Sequence, residues 1–203
     1  MILITFGYDN VLNEFNFVYL IENISNILLI FKYMLKKLLI VPGLILILIQ
    51  FIRPERNLSN DLTYDISTRY PLSGEVLDIL KGSCYDCHSN KTEYPWYSYI
   101  QPVSWWINDH VIAGIRHLNY SDFTKLPIAN QVRKLEETIE QIDKNEMPLT
   151  SYTYLGLHKE ANLTDDQKQL IIDWARAQID MIKATYPADS LVVKRRQRVQ
   201  SGN

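Results

Sequence analysis

The sequence predicts an all-α chain: one helical domain behind an apolar N-terminal segment. Three observations predict it. Apolar residues recur at spacings of three and four in several separate segments, the period of a helix with one buried face. No stretch shows the strict alternation of a half-buried strand. An almost unbroken apolar run, residues 38–52, follows Lys36 and Lys37. The 203 residues are 47% hydrophobic, and the first fifth holds much of that content. About 150 residues remain, enough for one modest core.

The apolar run is read as a signal anchor over residues 34–52. At helical rise residues 38–52 span roughly 22 Å, short of the roughly 30 Å hydrocarbon core, and counting from Met34 brings the segment near spanning length. Lysines before the run place its N-terminal end in the cytoplasm and the rest of the chain outside. No small-x-small cleavage pattern follows, so the anchor is expected to stay attached. Within residues 1–33, the stretch Phe15 to Phe31 is apolar but interrupted by Glu22 and several asparagines. Met34-Leu35-Lys36-Lys37 resembles a natural start, and residues 1–33 are read as a doubtful extension, a misassigned start. Residues 53–70 are polar and read as a tether, and residues 187–203 as a polar basic tail carrying Lys194, Arg195, Arg196 and Arg198.

Between them, residues 71–186 form the predicted domain. Ser73 suits the cap of a short helix to about Gly82, with Val76, Ile79 and Leu80 on one face. Pro102 suits the first turn of a helix to about His117, where Val103, Trp106, His110 and His117 share a face. A third helix covers about residues 129–144, with Val132, Leu135, Ile139 and Ile142 inward. Thr164-Asp165-Asp166-Gln167 is a capping box. It opens a helix to about Thr185, with Leu170, Ile171, Trp174, Ala177 and Met181 as the expected inner stripe. His158 falls in a loop and is expected to be exposed.

Only two cysteines occur, three positions apart, in Cys84-Tyr85-Asp86-Cys87-His88. Such a pair cannot staple a fold, so local chemistry is the better reading. Cys-x-x-Cys-His is the attachment signal for c-type haem. Two intervening residues let each thiol reach one vinyl group of the porphyrin, and the next residue then offers an imidazole to the iron. A redox dithiol, a zinc site from Cys84, Cys87, His88 and His110, and a plain disulfide are the competing readings. Covalent haem c, one per chain, fits best with export. Met147, ahead of Pro148 and a capped terminal helix, is the expected sixth ligand, and a thioether there raises the reduction potential. His110 and His117 are its rivals. Trp106 and Arg116 are candidate contacts to the porphyrin and its propionates. Tyr94, Trp96, Tyr97 and Trp105 fit either a porphyrin wall or ordinary core.

The chain resembles the cytochrome c-like haem-binding domain family of exported bacterial proteins. The resemblance rests on Cys84-Tyr85-Asp86-Cys87-His88-Ser89-Asn90, Tyr94-Pro95-Trp96-Tyr97 and Pro102-Val103-Ser104-Trp105-Trp106. It extends through His110-Val111, His117-Leu118-Asn119-Tyr120-Ser121 and Glu146-Met147-Pro148-Leu149, and the anchor end Gln50-Phe51-Ile52-Arg53-Pro54 also matches. It covers about residues 34–193 and leaves out residues 1–33. It implies covalent haem at Cys84 and Cys87 with His88 as proximal ligand. It also implies a cytochrome c-like plan, in which the first and last helices cross.

The expected function is one-electron transfer at the outer face of the cytoplasmic membrane, more as a carrier than as an enzyme. The alternative is a peroxidase-like or haem-based sensor protein with a displaceable sixth ligand. The partners are haem, the membrane and an unidentified redox protein. Net charge is -2, which gives no basic excess for nucleic acid.

Overall fold

The computed structural model describes residues 6–154 and 157–193, and within the first helix it describes side chains from Tyr19 onward. The basic tail residues Lys194, Arg195, Arg196 and Arg198 lie outside the described residues. The chain divides into two compact units at Arg53 and Pro54.

The first unit is one helix, α1, Phe6–Ile49, with Pro42 inside it. It runs without a break through Met34. Its described side chains, including Leu38, Leu39, Leu44 and Leu48, are exposed around the helix. Among the described residues no helix is long and apolar enough to cross a membrane. Lys32, Lys36 and Lys37 interrupt the apolar content, and past Lys37 the helix keeps only about 18 Å of uncharged length at helical rise.

The second unit is helical, and among its described residues the only β pairing is an isolated bridge between Leu58 and Lys91. Helix α2, Gly74–Ser83, starts where the Ser73 side chain accepts from the backbone N–H of Val76. It ends at Cys84, whose N–H donates to the Leu80 carbonyl at 2.9 Å. One more turn, α3, Tyr85–His88, follows at once. Helix α4, Val103–His117, and helix α5, Ile128–Asp143, come next. A single turn, α6, Thr150–Thr153, precedes α7, Asp165–Thr185, which opens with the reciprocal Thr164 and Gln167 capping bonds.

The core forms where α2, α5 and α7 meet. Val76 and Leu80 join Val132, Leu135, Trp174, Ala175, Ile179 and Ile182 in one cluster, while Ile79 packs with Ile142, Ile171 and Ile172. The first and last helices of the domain therefore pack together. Two stripes differ in part from expectation. In α7 Ile171 and Trp174 are buried as expected, together with Ile172, Ala175, Gln178, Ile179 and Ile182, and Leu170 packs against the core, while Ala177 and Met181 face outward. In α4 the buried residues are Ser104, Val111 and Gly114, while Val103 and Trp106 are exposed. Both helices carry apolar residues on more than one face, so spacing alone left their rotation open.

The tether is only partly a tether. Ile66 and Tyr70 are fully buried, and Asp65 caps the intervening turn by accepting from the Ser67 N–H at 2.9 Å. Tyr70 packs edge-on against Phe123, with centroids 5.8 Å apart, and its hydroxyl bonds the buried Gln131 side chain.

Candidate haem site

The Cys84-to-His88 motif is set by α3. The N–H groups of Cys87 and His88 both donate to the Cys84 carbonyl, at 3.2 and 2.9 Å. This single turn brings two thiols and an imidazole to one side. Helix α4 then closes on the turn at Gly114. A Cβ on Gly114 would lie 2.3 Å from the Cys87 carbonyl oxygen, a distance no side chain tolerates. Glycine is required here by a close backbone approach.

That approach orients His88. Its Nδ1 lies 3.1 Å from the Gly114 carbonyl oxygen and 3.0 Å from that of Leu118. Carbonyls only accept, so Nδ1 carries the proton and Nε2 keeps its lone pair for a metal. Burial lowers the His88 pKa, while the two carbonyls pull the other way by holding the Nδ1 proton. The net result favours the neutral ring, the form that ligates.

A cavity of about 650 Å³ opens beside the motif, within the usual range for a bound organic ligand. Cys84, Cys87, His88, His110, His117 and Met147 all line it. Leu118, Tyr120, Ile142, Leu149 and Leu163 supply apolar wall. Met147 arrives from the end of α5. Asn145 adopts a left-handed conformation with φ of 57°, which asparagine tolerates, and the Met147 N–H then donates to the Gln141 carbonyl at 3.2 Å. His110 and His117 instead sit on α4, the helix that holds the His88 ring.

Two expected contacts lie elsewhere. Trp106 does not line the cavity; it is 47% exposed and packs on His110, with centroids 4.4 Å apart. Arg116 is exposed and also outside the lining. The cations at the cavity are Arg133 and Lys134 of α5, paired with Glu137 at 3.3 and 2.5 Å. Nothing in the α5 sequence marks them, because their position depends on how α5 packs. Tyr94, Trp96, Tyr97 and Trp105 are not in the lining either. Arg56 stacks over the rings of Tyr94 and Tyr99, 4.5 and 3.7 Å from their centroids, so this region fastens the start of the domain. The cavity's aromatic residues are Tyr120 and Tyr152.

The chain matches the haem-binding domain family over residues 44–177. It belongs to that family. Comparison with curated proteins found no match, and comparison with solved structures found none. The haem-binding domain thus contains a cavity of suitable size and lining chemistry for its ligand. It has mainly apolar walls, a pre-oriented imidazole, a thioether, two thiols and two cations that can meet carboxylates.

The competing chemistries fit less well. Burial pushes the Cys84 thiol up to about 12 and the Cys87 thiol up to about 11, opposite to the lowered values of reactive dithiols. Both cysteines are free. Among the described residues, no group of three or more His, Cys, Asp or Glu side chains is arranged to hold a metal ion. That speaks against the four-ligand zinc set.

Proposed function

We propose that this haem-binding protein carries one covalent haem c at Cys84 and Cys87, and that it transfers single electrons at the outer face of the cytoplasmic membrane. The observation that carries the reading is that Cys84, Cys87, His88 and Met147 line one cavity, with the His88 ring already held by its Nδ1.

A bound haem would supply a one-electron iron couple. The protein's residues do the rest. Cys84 and Cys87 would hold the group through two thioether links, each S–H adding across one vinyl so that the sulfur bonds one vinyl carbon and the hydrogen goes to the other. His88 offers Nε2, and Met147 offers a thioether from a different element, which favours a raised potential. Arg133 and Lys134 can pair with propionates. Leu118, Tyr120, Ile142 and Leu149 exclude water from the metal environment, which limits reorganisation on electron transfer. The exported placement rests on the lysines that precede the apolar run at residues 38–52, and on the leucines and isoleucines that α1 exposes on all sides.

A pyridine haemochrome spectrum of denatured protein tests the covalent link. The protein is made in cells with working c-type maturation. A c-type signal that stays with the polypeptide and vanishes in a Cys84→Ala/Cys87→Ala variant is expected. Its absence, with a control cytochrome matured in the same cells, sinks the reading.

A second reading, peroxidase-like or sensory, needs a displaceable sixth ligand. It is favoured by one observation: His110 lines the cavity, with its Nδ1 donating to the Trp106 carbonyl oxygen at 2.8 Å. Rapid cyanide binding to the ferric protein would support it, and resistance supports electron carriage.

A further inference from the structure

The segment that carries Met147 is fastened at two points to the haem-motif side of the cavity. Past Met147, Pro148 and Leu149, the turn α6 presents Tyr152, which lines the cavity. Its hydroxyl donates to Oδ2 of Asp86, inside the Cys84-to-His88 motif, at 2.6 Å. Asp86 is itself held. Its Oδ1 accepts from the Glu93 N–H at 3.0 Å, and its carbonyl accepts from the Thr92 hydroxyl at 2.6 Å. The second point is His158. Sequence placed it as an exposed loop residue, but it is 8% exposed. Its Nε2 bonds the Tyr97 hydroxyl, and its Nδ1 faces Glu160 at 3.3 Å. The two points touch one another, because Tyr152 stacks on His158 with centroids 4.0 Å apart and planes 14° apart.

We propose that Tyr152 and His158 form a clasp that holds the Met147 segment over the cavity, and so keeps the sixth iron position closed to outside ligands. The proposal rests on the reading of Met147 as the sixth ligand. Both partners, Asp86 and Tyr97, belong to residues 84–99, whereas Met147 departs from α5. The clasp therefore ties the thioether's segment to the same part of the chain that provides the thiols and the imidazole. A hydrogen bond to a carboxylate is among the stronger neutral-to-charged contacts, so breaking it raises the population of the open segment about ten-fold. Tyr152 is a positioning residue. It acts on the iron through Met147.

The test uses the full-length, haem-loaded protein and two readouts. One is the methionine–iron charge-transfer band of the ferric form. The other is the rate of cyanide binding. Tyr152→Phe keeps the ring on His158 and removes only the hydroxyl. It is expected to raise the cyanide rate about ten-fold and weaken the band, with covalent haem content unchanged. Tyr97→Phe cuts the second point and is expected to move both readouts the same way. It decides the matter if Tyr152→Phe loads haem poorly. Ser151→Ala, exposed in the same turn, is expected to match the wild type. A wild type without the methionine band overturns the sixth-ligand reading and the clasp with it. A wild type with the band, and both variants within two-fold of its cyanide rate, overturns the clasp alone.

Discussion

Gly114 and the two thiols are where single atoms decide the site. Helix α4 approaches α3 so closely that any side chain at position 114 meets the Cys87 carbonyl. Gly114→Ala must push the helices apart, and overpacking of this kind costs about 1–3 kcal/mol. It also moves a carbonyl that holds the His88 ring. The expected outcome is a lower yield of covalent haem with helix content retained; circular dichroism and the haemochrome assay check both. Normal haem loading in this variant would show that the close approach is dispensable. The thiols give a pH prediction for protein made without haem. Burial raises both pKa values above the ordinary thiol value. Their contribution to stability is therefore complete at neutral pH and falls as pH rises from about 9 toward 11 and 12. Iodoacetamide should label the folded apoprotein much more slowly at pH 7 than the urea-unfolded chain. Equal rates would show that the thiol pKa values are not raised in the folded chain.

At the scale of elements, α7 and α5 give the domain its strongest local signals. The Thr164 and Gln167 bonds satisfy donors at the start of α7, and Thr164→Ala should cost about 1 kcal/mol. Leu135 is fully buried in the cluster that joins α2, α5 and α7. Leu135→Ala should cost about 2–5 kcal/mol, far more than the cap. Urea denaturation separates the two, and a cap variant as costly as the core variant would invert this ranking. The caps and the α2 and α5 stripes were legible because they depend on neighbours within one or two turns. The α7 stripe was legible at Leu170, Ile171 and Trp174 but not at Ala177 and Met181, and the rotation of α4 was not legible. Met181 and Val103 carry apolar side chains but face solvent, because the rotation of a helix is set by what it packs against.

For the whole molecule, the cavity of about 650 Å³ lies between α3, α4, α5 and the segment after Met147. Haem held in that space, as proposed above, would stabilise the folded chain by linkage. The haem-free Cys84→Ala/Cys87→Ala variant is expected to melt at least about 5 °C below the holoprotein in a thermal scan. Equal melting points would mean that haem contributes nothing to the packed domain. Helix α1 exposes apolar side chains all round. Carbonate extraction of cell membranes should leave the full chain in the pellet if α1 is an anchor, and release to the supernatant would count against that placement.

The sequence by itself determined the all-helical class, the helix caps, and the run of thiol, thiol and imidazole with its fixed spacing. These are local: each is decided by residues within a few positions of one another. Tertiary structure alone decided the requirement for glycine at 114, the two carbonyls on His88, and the placement of Arg133 and Lys134, and not Arg116, at the cavity. It also decided the burial of His158 and the bond from Tyr152 to Asp86. Each of these joins residues from separate elements, and hydrogen bonds and close contacts of that kind exist only once packing has brought the elements together.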